Sequence, residues 1–137
     1  AHSINRLYLL QHAGIHCALG CAFASTLRRG ATPLITALAA SVARTMTPAM
    51  SRYTRRVTVL WVGYFFAMTA LSLALYAWAP WWLWSLLANL VTPVAVVVLF
   101  VGEYALRYRL HPEFERMTML QGLRAYRRLS PTGARRP

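Results

Sequence analysis

Two histidines, His12 and His16, stand four residues apart in the apolar segment Leu7–Leu27. On a helix they lie one turn apart and about 40° around the axis. That spacing can present two imidazoles to one metal ion or haem iron, provided further ligands come from elsewhere. It suits hydrogen bonds between helices equally well, each imidazole meeting a hydroxyl or a carbonyl. The residue types leave both readings open. Cys17 and Cys21 repeat the spacing in the same segment, but they project well round from His12. A disulfide within one helix would strain the backbone, so they are expected to be free, buried thiols.

Other residues with chemistry are few. Glu103 is the one charged side chain between Arg56 and Arg107. A lone carboxylate at membrane depth is unfavourable, so a partner is expected. Arg107, one turn on, is the near candidate; Arg55 or Arg56 would instead lock the base of a hairpin. Gln11, His12 and His16 need partners too. Matched by depth along antiparallel helices, His12 falls near Asn89, and His16 near Thr92 and Pro93. Thr69 lies at a similar level. A polar cluster of His12, His16, Thr69, Asn89 and Thr92 is therefore expected, as a binding site or as packing between helices. No Ser-His-Asp set, phosphate loop or paired carboxylate is present, and the chain holds three glutamates and no aspartate. That leaves little material for acid–base catalysis and argues against an enzyme.

The elements that must hold these residues are membrane helices. The chain is 58% hydrophobic and 13% charged, the latter about half the usual share. All fifteen basic residues are arginine. A strong positive balance points to nucleic acid or to anionic lipid headgroups. Here the arginines flank long uncharged runs, which selects the lipid. Val57–Leu106 is long enough for two crossings of a bilayer core about 30 Å thick, with Ala79-Pro80 marking a turn between them. The expectation is an all-α membrane protein with three transmembrane helices, at about 7–27, 57–78 and 82–106. A short amphipathic helix over about 33–45 should carry Leu34, Ile35, Leu38 and Val42 along the membrane surface. Thr32-Pro33 and Thr47-Pro48 each place a capping hydroxyl before a proline at the first helical position. The helix after Pro48 should run through Arg52, Arg55 and Arg56 into the bilayer. Pro93 should kink the returning helix. A further helix is expected over 112–129, and residues 130–137 should be disordered.

Small residues four apart on the first helix, such as Gly14 and Ala18 or Gly20 and Ala24, suit close helix approach. Three helices shield several polar residues poorly, so partner transmembrane proteins or self-association are expected. The basic stretches 28–56 and 107–137 share one side, and the uncharged Trp-rich turn at 79–81 takes the other. By the positive-inside rule the basic side is cytoplasmic and the turn periplasmic. The sequence starts without Met and shows no signal-peptide cleavage pattern, as expected of the C-terminal part of a longer protein.

RYTRRVTVLWVGYFFAMTALS at 52–72 and LWSLLANLVTPVAVVVLFVGEYALRYRL at 83–110, with the approach through Leu27-Arg28-Arg29, resemble a family of small bacterial predicted inner-membrane proteins. These are encoded near acyl carrier protein and ketosynthase genes of aryl-polyene-type clusters. The Arg-Tyr-Thr-Arg-Arg-Val-Thr and Gly102-Glu103-Tyr104 runs carry most of the likeness. The resemblance implies an accessory membrane component of a lipid-like biosynthetic system and supplies no catalytic residue. Family members are longer, with further hydrophobic helices ahead of the position of Leu7. The ketosynthase label given to some of them does not carry over, since no Cys-His-His thiolase-type site is present.

Overall fold

A computed structural model describes residues 2–43 and 45–110. The expected helix at 112–129 and the tail at 130–137 lie outside the described residues. The helices are α1 (His2–Ser25), α2 (Leu34–Val42), α3 (Pro48–Trp78), α4 (Trp81–Leu86) and α5 (Thr92–Leu110), with a π-helical turn at Leu87–Val91 joining the last two. Three stretches are long and apolar enough to cross a membrane: Ser3–Ser25, Pro48–Trp78 and Trp81–Leu110. The chain is therefore an all-α membrane protein, and no strand occurs among the described residues.

The spans start and stop differently from the apolar runs. α1 begins at His2 rather than Leu7, because nothing in Ser3–Arg6 breaks a helix. α3 starts at its cap, where the Thr47 side chain accepts the Met50 N–H and Pro48 opens the first turn. At 31 residues it measures about 46 Å, longer than the bilayer core, so its basic first turns project beyond the hydrocarbon.

Thr32 does not cap α2. Pro33 occupies the N-cap position without a side-chain bond. The first amides are satisfied from other elements instead. The Leu34 N–H donates to Thr26 Oγ1 at 3.0 Å, and the Ile35 N–H to Thr58 Oγ1 at 3.3 Å. Threonines of the α1 exit and of α3 thus do the work expected of a local cap. Gly30, at φ 85°, makes the left-handed turn that leads into this segment, a conformation side-chain-bearing residues avoid. α2 also buries an unexpected face. Thr36 and Ala39 are against α3, with Thr36 Oγ1 and Thr54 Oγ1 2.8 Å apart, while Leu38 and Val42 remain 56% and 57% exposed.

α3 is the central element. Met50, Tyr53, Val57, Trp61 and Phe65 form the buried row, joined by Ala39 from α2. α1 lies against it through Ala13, His16 and Gly20. A Cβ on Gly20 would sit 3.1–3.3 Å from Phe66 ring atoms and Phe65 Cβ, so the two helices meet there at close range. Gly14 faces open space. Cys17 and Cys21 are free but exposed rather than buried, since the narrow contact stripe passes beside them. α5 meets α3 through longer side chains: Trp61 and Phe100 ring centroids are 4.9 Å apart, and Tyr53 and Tyr64 reach across with their hydroxyls.

Candidate functional site: an intramembrane polar network

His12 projects from α1 into the junction of α3, α4 and α5. Its Nδ1 lies 3.2 Å from Ser72 Oγ, and its Nε2 lies 3.0 Å from Thr92 Oγ1. Donor chemistry fixes the direction of the chain. The Trp84 indole N–H can only donate, and it donates to Ser72 Oγ at 3.0 Å. Thr92 Oγ1 donates to the Leu87 carbonyl at 2.9 Å. Ser72 then has one hydrogen left to give, and Thr92 has lone pairs left to receive. A neutral His12 with its proton on Nε2 uses every bond: Trp84 to Ser72 to His12, then His12 to Thr92 to Leu87. The opposite tautomer leaves the Ser72 hydroxyl without an acceptor among these partners and takes the Thr92 hydrogen away from Leu87.

The π turn makes this convergence possible. In an unbroken α-helix Trp84 and Thr92 would point about 80° apart. The turn takes up one extra residue, as its i→i+5 bonds require, and brings both onto the face toward His12. The Thr92 N–H reaches Leu87 O across it. Pro93 supplies the local cause. It has no N–H to give, and its ring would crowd the carbonyl four residues back in regular α geometry. The expected kink is thus realised as a π turn. Tyr64 closes the site from α3 by donating to the Thr92 carbonyl at 3.2 Å.

The remaining expected members lie nearby in other roles. His16 sits 4.4 Å from His12 between ring centroids, and its Nδ1 is 2.7 Å from the His12 carbonyl. A carbonyl only accepts, so Nδ1 carries the hydrogen. His12, not His16, meets Thr92, a shift of about one turn from the register expected by depth. Thr69 hydroxyl binds its own helix at Phe65 O, 2.9 Å away, and lies 3.5 Å from Ala13 O of α1. Asn89 donates to Ser85 O and Ser85 Oγ rather than to a histidine. Ser72, Trp84 and Tyr64 were not singled out from the sequence. A serine within an apolar span was the available signal for Ser72. Trp84 reads equally well as an interfacial aromatic, and nothing local marks Tyr64.

This donor set is better matched to hydrogen bonding than to metal ligation. Both His12 nitrogens are engaged, and no group of three or more His, Cys, Asp or Glu side chains comes together among the described residues. A metal or haem iron on His12 would displace Ser72 or Thr92.

At the basic end, Arg107 places Nε 2.8 Å and Nη2 2.6 Å from the same Glu103 oxygen. The Tyr53 hydroxyl donates to the Glu103 carbonyl at 3.3 Å and lies 3.5 Å from its carboxylate. Arg55 and Arg56 do not join this pair. Arg55 Nη2 donates to the Leu27 carbonyl at 3.3 Å, just past the end of α1, where the helix dipole favours a cation. Arg52, Arg55, Arg56 and Val59 share one face of α3 and line a depression of about 330 Å³.

Comparison with family models, with curated proteins and with solved structures finds no match.

Proposed function

We propose that the chain is an accessory subunit of a bacterial inner membrane. Its three helices would pack with partner transmembrane proteins and serve a lipid-like or polyene biosynthetic system. The observation that carries this reading is the His12 network: its side chains join α1, α3 and the α4–α5 helix to one another, with both His12 nitrogens held by hydroxyls. Supporting it, α5 exposes Val94, Val97, Val98 and Val101, an apolar surface wide enough for lipid or a further helix. The likeness of residues 52–72 and 83–110 to cluster-encoded membrane proteins supplies the pathway part of the proposal. Residues 28–56 and Arg107–Arg109 would lie in the cytoplasm and Ala79–Trp81 in the periplasm, the side that holds Arg6 alone of the described arginines.

Purification in mild detergent, with identification of stoichiometric companions, tests the role. A companion lost on replacing the exposed valines of α5 by arginine supports it; a chain that purifies alone and monodisperse overturns it. The competing reading, haem or metal on His12 and His16, predicts a Soret band or stoichiometric bound metal in the same preparation. With Cys17 and Cys21 replaced, single cysteines at Ser51 and Ala79 report the orientation. Labelling from outside intact cells should occur at 79 and not at 51.

A further inference from the structure

Beside the His12 network, α1 and the α4–π segment flank an open-sided cavity of about 570 Å³, within the size range of small-molecule sites. It lies toward the Trp-rich turn, in the half of the bundle that carries Arg6 alone of the described arginines. Tyr8, Ile15, Trp81 and Trp84 give it apolar and aromatic walls, and the Trp81 and Trp84 rings stack 4.5 Å apart.

The polar lining is mixed: Tyr8, Gln11, Trp81 and Ser85 bring donors, while two acceptors stand without one. His16 is only 8% exposed, and its Nδ1 hydrogen is engaged by the His12 carbonyl. In the neutral ring Nε2 is therefore a lone-pair acceptor, and no partner meets it among the described residues. Asn89 uses its amide hydrogens on Ser85 O at 2.9 Å and Ser85 Oγ at 3.1 Å, which leaves its carbonyl oxygen as an acceptor. Gln11 adds an amide that makes no hydrogen bond to the described residues. Acceptors at membrane depth are unfavourable when left unmet, and hydrocarbon tails bring no donors. A carboxylate or phosphate would bring more acceptors and a charge, and no arginine lines the cavity. An ammonium would find no acid there.

We propose that this cavity binds an uncharged amphiphile whose polar end donates hydrogen bonds through hydroxyl groups. The glycerol end of a monoacylglycerol is the simplest probe. Its hydroxyls meet His16 Nε2 and the Asn89 and Gln11 amides, and its chain leaves through the open side into the bilayer. This site is additional to the accessory role; the bundle and its partner contacts do not depend on the cavity being filled.

The test uses the whole chain in phosphatidylcholine nanodiscs with a small mole fraction of a monoacylglycerol carrying a diazirine in its chain. Photolysis and peptide mapping should place adducts on residues 8–16 and 81–89. Unlabelled monoacylglycerol should compete, while the fatty-acid methyl ester of equal length, which has no donor, should compete at least fivefold less well. Fatty acid itself should compete no better than the ester. Ala88 also lines the cavity; Ala88→Phe fills it without touching a His12 bond and should remove the labelling, with an unchanged melting temperature. His16→Phe, which removes the acceptor, should reduce it about fivefold. Adducts spread evenly over the lipid-facing helices, an ester that competes as well as the glyceride, or full labelling of Ala88→Phe would each overturn the proposal. Co-purification of partner subunits is read separately, so failure here leaves the accessory role standing.

Discussion

His12 and Glu103 both place polar groups where water is scarce, one near the uncharged turn and one near the basic end, yet they join different things. His12 reaches from α1 to Ser72 of α3 and to Thr92 of α5, across 60 and 80 residues of chain. Glu103 takes its main partner from the next turn of its own helix. The Tyr53 hydroxyl ties that pair to α3. The first site therefore fixes the arrangement of the bundle, and the second mainly settles a charge within one helix. A charged pair is the more conspicuous of the two, and it is the less consequential for the fold.

Substitutions can break or sharpen this contrast, each read as the change in unfolding free energy in detergent. Gly20→Leu sets the scale. It forces α1 away from Phe65 and Phe66 and with it His12 from its partners, for a loss of about 3 kcal/mol. His12→Leu should follow at about 2 kcal/mol, since it strands the Ser72 and Thr92 hydroxyls. Ser72→Ala, which removes one link and leaves the Trp84 indole unpaired, should lose about 1 kcal/mol. Glu103→Leu should lose about 1 kcal/mol, by removing the ion pair with Arg107 near the headgroups, where water still reaches that side chain. Tyr53→Phe should be smallest, at about 0.5 kcal/mol. If Glu103→Leu proves more damaging than His12→Leu, the contrast is reversed and the basic end is what holds the helices together. A double-mutant cycle of His12→Leu with Ser72→Ala should show coupling of about 1 kcal/mol, and one of His12→Leu with Glu103→Leu none, because the sites share no partner.

The parts of the molecule legible in the sequence are those set by local rules. The three spans follow from length and hydropathy, the Thr47-Pro48 start from cap chemistry, and the turn from Ala79-Pro80. Glu103 and Arg107 pair at a spacing any helix would bring together. Register between helices is another matter. His12 meets Thr92 because a π turn intervenes, and no sequence period announces one. Thr26 and Thr58 cap α2 across the fold, a role that local sequence assigns to Thr32. Cys17 and Cys21 face outward because α1 uses a stripe one residue wide, and apolar residues on every side of a membrane helix do not reveal which stripe that is.

The π turn also has a meaning for the length of the chain. Downstream of it, Thr92, Val96, Leu99 and Glu103 stay on one face, since eleven residues bring an α-helix back within about 20° of its starting direction. Upstream, Trp84 keeps that direction only because one residue is looped out between Leu87 and Val91. Seen this way, the turn is a supernumerary residue held inside a helix. Removing Leu90 would take out that residue and leave Trp84 and Thr92 seven apart, still in phase. Removing Val97 would instead swing Glu103 through about 100° and away from Tyr53. The returning helix thus has one place where its length can change without its faces changing, and that place lies beside His12.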